Sequence, residues 1–97
     1  MDVFTWLQDW YIQNCDGDWE HCYGIKIETL DNPGWCIDID LIGTNLEDEQ
    51  FQTTSLQRSD NNWFYCEVVD NIYKGHGGIA NLKEIIDIFY QWVTEKN

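Results

Sequence analysis

A chain of 97 residues with 43% hydrophobic content and six tryptophans is enough for one domain whose core is dominated by large side chains. That aromatic content excludes a disordered acidic tail, which would be poor in such residues. Five basic against eighteen acidic residues leave a net charge of −13, which repels nucleic acid and anionic membrane and speeds encounter with a basic partner.

The opening stretch, MDVFTWLQDWY, has no basic region followed by an uninterrupted apolar run, so it does not read as a signal peptide. Nowhere does an apolar run approach the roughly 18 residues that a membrane span needs. The four cysteines, Cys15, Cys22, Cys36 and Cys66, are therefore expected to be reduced thiols in a cytoplasmic protein.

Val3, Leu7, Trp10 and Tyr11, flanked by Phe4 and Trp6, recur at three- and four-residue spacing and predict a helix over about residues 2–14, stopped by Asn14 and Gly17. An acidic turn follows, from Asp16 to His21. Tyr23, Ile25 and Ile27 then alternate with Gly24, Lys26 and Glu28, the pattern of a strand. Trp35, Ile37, Ile39 and Leu41 alternate in the same way with Cys36, Asp38 and Asp40. Between these two runs, Asp31-Asn32-Pro33-Gly34 suits a type II turn, with proline presetting φ and glycine accepting a positive one. A polar third strand is expected over Phe51 to Arg58 and a fourth over Trp63 to Val69, joined by a turn at Ser59 to Asn62. Gly75, Gly77 and Gly78 read as a tight connection that uses positive φ. A last helix begins at Asn81, a good N-cap, with Glu84 completing a capping-box arrangement. Its apolar stripe is Leu82, Ile85, Ile86, Phe89, Trp92 and Val93.

The expected architecture is α+β: a four-stranded antiparallel sheet with an N-terminal and a C-terminal helix packed on one face, in the order α-β-β-β-β-α. The helices should cover Tyr23, Ile25, Ile27, Ile37, Ile39, Phe64 and Val68. The opposite face would carry Lys26, Glu28, Asp38, Asp40, Tyr65 and Glu67.

The segment Asp16-Gly17-Asp18-Trp19-Glu20-His21 is the densest group of chemically active side chains. It begins like a calcium loop, but such a loop needs glycine at its sixth position and a bidentate glutamate at its twelfth. His21 and Ile27 stand there, so the match fails. Two readings remain. Asp16 or Asp18 caps backbone amides with Trp19 packed beneath, or the loop presents carboxylates and Trp19 to a basic surface, tryptophan being favoured among binding hot spots. His21 beside Asp18 or Glu20 could exchange protons near neutrality, but no nucleophile motif accompanies it. Cys15, His21, Cys22, Cys36 and Cys66 could ligate zinc, yet no pair has the two-to-four-residue spacing of structural sites. Cys66 instead reads as a small core hydrophobe. The run Lys74-Gly75-His76-Gly77-Gly78 precedes a helix but lacks the lysine and hydroxyl residue of a P-loop. Arg58 is expected to pair with a nearby carboxylate at little gain in stability.

The order of pieces from Trp6 to Trp35 resembles the immunity protein 53 family, small bacterial proteins encoded in polymorphic toxin loci. The likeness continues in Arg58-Ser59, Asn62-Trp63 with Cys66, and Gly75-x-Gly77-Gly78 before Asn81-Leu82. One departure is Ile79, where the family often has proline. The resemblance implies an antidote that binds a cognate toxin rather than an enzyme, and it implies no cofactor. Taken with the charge, it leads to an expected partner with a basic surface, such as a nuclease, occluded by Asp16, Asp18, Trp19, Glu20, Asp38 and Asp40. Nucleic acid and membrane are not expected partners. Two rivals differ in class: a metal-dependent or small-molecule enzyme using Asp16, Asp18, Glu20 and His21, and an acidic regulator that mimics nucleic acid.

Overall fold

The computed structural model describes residues 2–96. In chain order the elements are α1 (Val3–Asn14), α2 (Trp19–Cys22), β1 (Ile25–Leu30), β2 (Gly34–Asp40), β3 (Thr54–Ser59), β4 (Asn62–Val69), β5 (Ile72–Gly77) and α3 (Leu82–Lys96). The α+β class and the two terminal helices are as expected. The sheet differs: among the described residues it has five strands, all antiparallel, in the order β1-β2-β5-β4-β3.

The strand missing from the sequence reading, β5, is the central one. Its register places Gly75 between Ile37 and Cys66, and Gly77 between Trp35 and Phe64. These glycines do not supply positive φ. They let α3 lie close to the sheet: a Cβ on Gly75 would collide with Ile85 and sit 2.9 Å from Ile37 Cγ2, and one on Gly77 would sit 2.8 Å from Ile85 Cδ1. Asp70 and Asn71, both at positive φ (53° and 60°), form the two-residue turn from β4 to β5. Asp and Asn are among the residues that adopt this conformation most readily.

The β1–β2 hairpin forms as expected, but its turn is a different one. Leu30 pairs with Gly34 across Asp31, Asn32 and Pro33, and Gly34 lies within β2 without a left-handed φ. It is glycine because a Cβ there would strike the Gly77 carbonyl oxygen. Asp2 starts α1 by accepting from the Phe4 amide at 3.0 Å and from the Thr5 hydroxyl at 2.8 Å.

The capping box expected at α3 is not made. The buried Asn81 turns its side chain toward the sheet, accepting from the Trp63 amide (3.2 Å) and donating to Asn62 Oδ1 (2.9 Å) and Glu84 Oε1 (2.6 Å). It thereby ties the start of β4 to the start of α3.

The helix α3 lies across β4, β5 and β2, and α1 packs against α3. Ile37, Ile39, Cys66, Tyr73, Ile85, Ile86 and Phe89 are buried between the layers. Because the helices centre on the inner strands, the covered face is narrower than expected. Tyr23 and Ile27, assigned to it from sequence, are exposed on the β1 side.

Candidate functional site

In the acidic turn, carboxylates and amides interlock. Asp16 Oδ1 accepts from the Asp18 and Trp19 amides, each at 2.9 Å. Glu20 returns the arrangement, its Oε1 accepting from the Asp16 amide and its Oε2 from the Gly17 amide, again at 2.9 Å. Gly17, at φ 95°, makes the reversal that lets Asp16 reach forward and Glu20 reach back. The amides of Trp19 and Asp18 hold the Asp16 carboxyl below its ordinary range. Glu20 is lowered as well, by its own amide and then by those of Asp16 and Gly17. Both stay ionised at neutral pH, but these hydrogen bonds occupy three of their four oxygens. Asp18 makes no side-chain cap bond.

Trp19 was expected among the contact residues, yet it is 4% exposed. Its ring meets Trp10 edge-on at 6.0 Å and Tyr11 at 5.8 Å, and its indole N–H donates to the Ile42 carbonyl at 2.9 Å. A side chain seated this way supports the loop from beneath and offers little surface to a partner.

Asp40 adjoins the loop: its Oδ2 accepts from the Gly24 amide at 2.9 Å, just after α2 ends. Asp38 lies two positions back on the same face, in a row where Lys26, Asp38, Lys74 and Glu67 are successive cross-strand neighbours. Lys74 Nζ is 3.7 Å from Asp38 Oδ1. This alternation of sign makes the middle of the open face less acidic than the loop and Asp40 at its end. In the next row, burial and then the charges of Asp38 and Glu28 raise the Cys36 thiol.

Sequence reasoning missed a groove of about 720 Å³ beside β1. Phe4 and Tyr11 of α1 form one wall, Tyr23 and Ile27 the other, with Leu7 and Ile25 between them; His21, Cys22 and Asp40 also line it. Phe4 is 41% exposed and Ile27 43%. The available signal was the width of the α1 apolar arc, since Phe4 and Tyr11 fall beside the Val3-Leu7-Trp10 stripe rather than on it.

Among the described residues no group of three or more His, Cys, Asp and Glu side chains is placed to hold a metal ion, and no helix is long and apolar enough to cross a membrane. The four cysteines are unbridged.

Fold and surface together define a small, strongly acidic α+β protein with a self-clasped carboxylate loop beside an apolar edge groove. The chain belongs to the immunity protein 53 family, whose model matches residues 4–94. Membership implies an immunity protein, and with it a cognate toxin as partner. No curated protein and no solved structure matches the chain.

Proposed function

We propose that the protein neutralises a toxin with a basic surface, such as a nuclease domain, by binding in the cytoplasm and covering its active or substrate site without covalent chemistry. Family membership over residues 4–94 carries this reading, and the net charge of −13 supports the choice of a basic partner. Asp16, Asp18, Glu20 and Asp40, with Asp38 beside them, would supply the attraction; Trp19 would hold the loop in shape. A surplus of one sign at a docking surface raises the association rate, and desolvated anchors then set the residence time. The metal-dependent alternative is disfavoured because Asp16 and Glu20 already spend carboxylate oxygens on loop amides.

The test is a tagged pull-down from the native bacterium, washed at low and then high salt, with mass spectrometry of what is retained. One dominant partner that survives high salt, and that kills cells when expressed alone but not with this protein, is the expected result. Many basic proteins lost together at high salt would instead favour a nucleic-acid mimic.

A further inference from the structure

The two edges of the sheet differ. At β3 the edge is polar (Gln57, Arg58, Ser59) and its register shifts between Gln57 and Ser59. Bulges and polar side chains of this kind keep an edge from recruiting another strand. At β1 the register is unbroken, and the helix-side residues, Ile25, Ile27 and Thr29, carry no charge; the charged Lys26 and Glu28 alternate with them on the other face.

The hydrogen-bond phase of β1 follows from one contact. The Asp40 amide donates to the Gly24 carbonyl at 3.0 Å, so in an antiparallel ladder residues 26, 28 and 30 bond toward β2. The N–H and C=O groups of Ile25, Ile27 and Thr29 therefore point outward, past the last strand of the sheet. The side chains of Ile25 and Ile27 face the groove beside α1. Free backbone groups and an apolar trough thus share one edge, the combination that an added strand uses: ladder bonds for affinity and pockets for alternate side chains.

We propose that this edge is the anchor of the complex. An extended segment of the toxin, with alternating apolar side chains flanked by lysine or arginine, pairs with β1 as a sixth strand and seats its apolar side chains against Phe4, Tyr11, Tyr23 and Ile27. The inference rests on the antidote reading above and adds where the partner is gripped. Charge selects this occupant over a second copy, because each copy carries −13 and would repel the other. It also accounts for the basic flanks. Asp40 lines the groove, the Asp16–Glu20 clasp lies next to its His21–Cys22 end, and Lys26 is the one ammonium among its lining residues.

The experiment uses the partner protein recovered by the wild-type chain. In its complex, amide exchange at Ile25, Ile27 and Thr29 should slow about tenfold or more, while the free protein exchanges these amides quickly. Ile27→Pro removes an outward N–H that the β1–β2 ladder does not use, and it should raise Kd about tenfold or more. Phe4→Glu, on the exposed opposite wall, should weaken binding without unfolding the protein and serves if Ile27→Pro does not fold. A wild-type complex with unchanged exchange at these three amides and undiminished affinity in Phe4→Glu overturns the anchor while leaving the antidote role intact. A homodimer that Phe4→Glu dissociates, with partner binding unaffected, assigns the edge to a second copy and also overturns it. Capture of no toxic partner by the wild-type chain removes both readings together.

Discussion

The Tyr73 hydroxyl donates to the Ile85 carbonyl at 2.7 Å, joining the central strand β5 to the second turn of α3 in a fully buried contact. The Tyr73 ring also meets Phe51 edge-on at 5.6 Å and Phe89 at 5.0 Å, so one residue fixes the spacing of both layers. Tyr73→Phe keeps the ring and leaves a buried carbonyl short of a partner. The expected cost is about 0.5–1.5 kcal/mol, measured as a lower urea midpoint with an unchanged m-value.

Alkaline pH should expose the same core. Burial pushes the Cys66 thiol up to about 11 from its ordinary 9.0, and burial raises the Tyr73 phenol as well. A raised folded-state value means that the stabilisation is complete below the unfolded value and is lost as pH rises through the folded one. Unfolding midpoints should therefore fall as pH climbs from 9.0 towards about 11. In Cys66→Ala the absolute stability should be lower but the alkaline slope shallower. An equal slope in wild type and variant would count against burial of the thiol.

Gly75→Ala should be costly although it adds a single methyl group. The new Cβ collides with Ile85 and crowds Ile37 between packed layers, and overpacking of this kind typically costs about 1–3 kcal/mol. For a chain of this size, that corresponds to a melting temperature lower by roughly 4–8 °C per kcal/mol. Gly24→Ala is the control, because nothing lies within 4 Å of its added Cβ.

Two polar contacts at the start of α3 should rank in the opposite order to their charge. Arg58 forms a bidentate pair with Glu84 at 2.9 and 3.0 Å, but both side chains are well exposed. Arg58→Ala should cost less than about 1 kcal/mol. The uncharged Asn81 is buried, and its removal leaves the Trp63 amide without an acceptor. Asn81→Ala should cost about 1–3 kcal/mol, with thermal unfolding of the two variants giving the order.

Salt should act in opposite directions on the free protein and on its encounter with the toxin. Raising ionic strength from about 0.02 to about 0.3 M screens the mutual repulsion of surplus carboxylates, so the melting temperature should rise. The association rate with the recovered partner should fall over the same range. Asp18→Asn should lower that rate without changing stability, since its side chain makes no cap bond. A salt-independent association rate would remove the steering role given to the acidic loop.

Much of the fold was legible because period and punctuation agreed. The α1 stripe, the alternation on either side of Pro33 and the α3 stripe each predicted the element that forms there. The strand β5 was not legible because two of its three helix-facing positions, Gly75 and Gly77, carry no side chain, which leaves Tyr73 alone to mark the period. The Asp70-Asn71 turn before it was the signal available. The acidic loop was recognisable as a unit, and its Asp16 cap over a packed Trp19 was one of the two readings open from sequence. The groove was not legible, because helical spacing says which residues lie on a face and not how far over the sheet a helix reaches. Tyr23 and Ile27 have the right parity for the core but lie beyond its cover.

The strand order has a consequence for synthesis. The strand last in sequence, β5, occupies the middle of the sheet and pairs with both β2 and β4. While the ribosome is still translating residues 1–71, the β1–β2 and β3–β4 hairpins have no strand to join them. Each then carries a bare inner edge as well as its outer one. The sheet closes when β5 emerges and slots between them, and α3, which roofs that strand, follows immediately. An antidote built this way gains its sheet in one late step, and nascent chains halted before residue 72 are the ones that chaperones must shield.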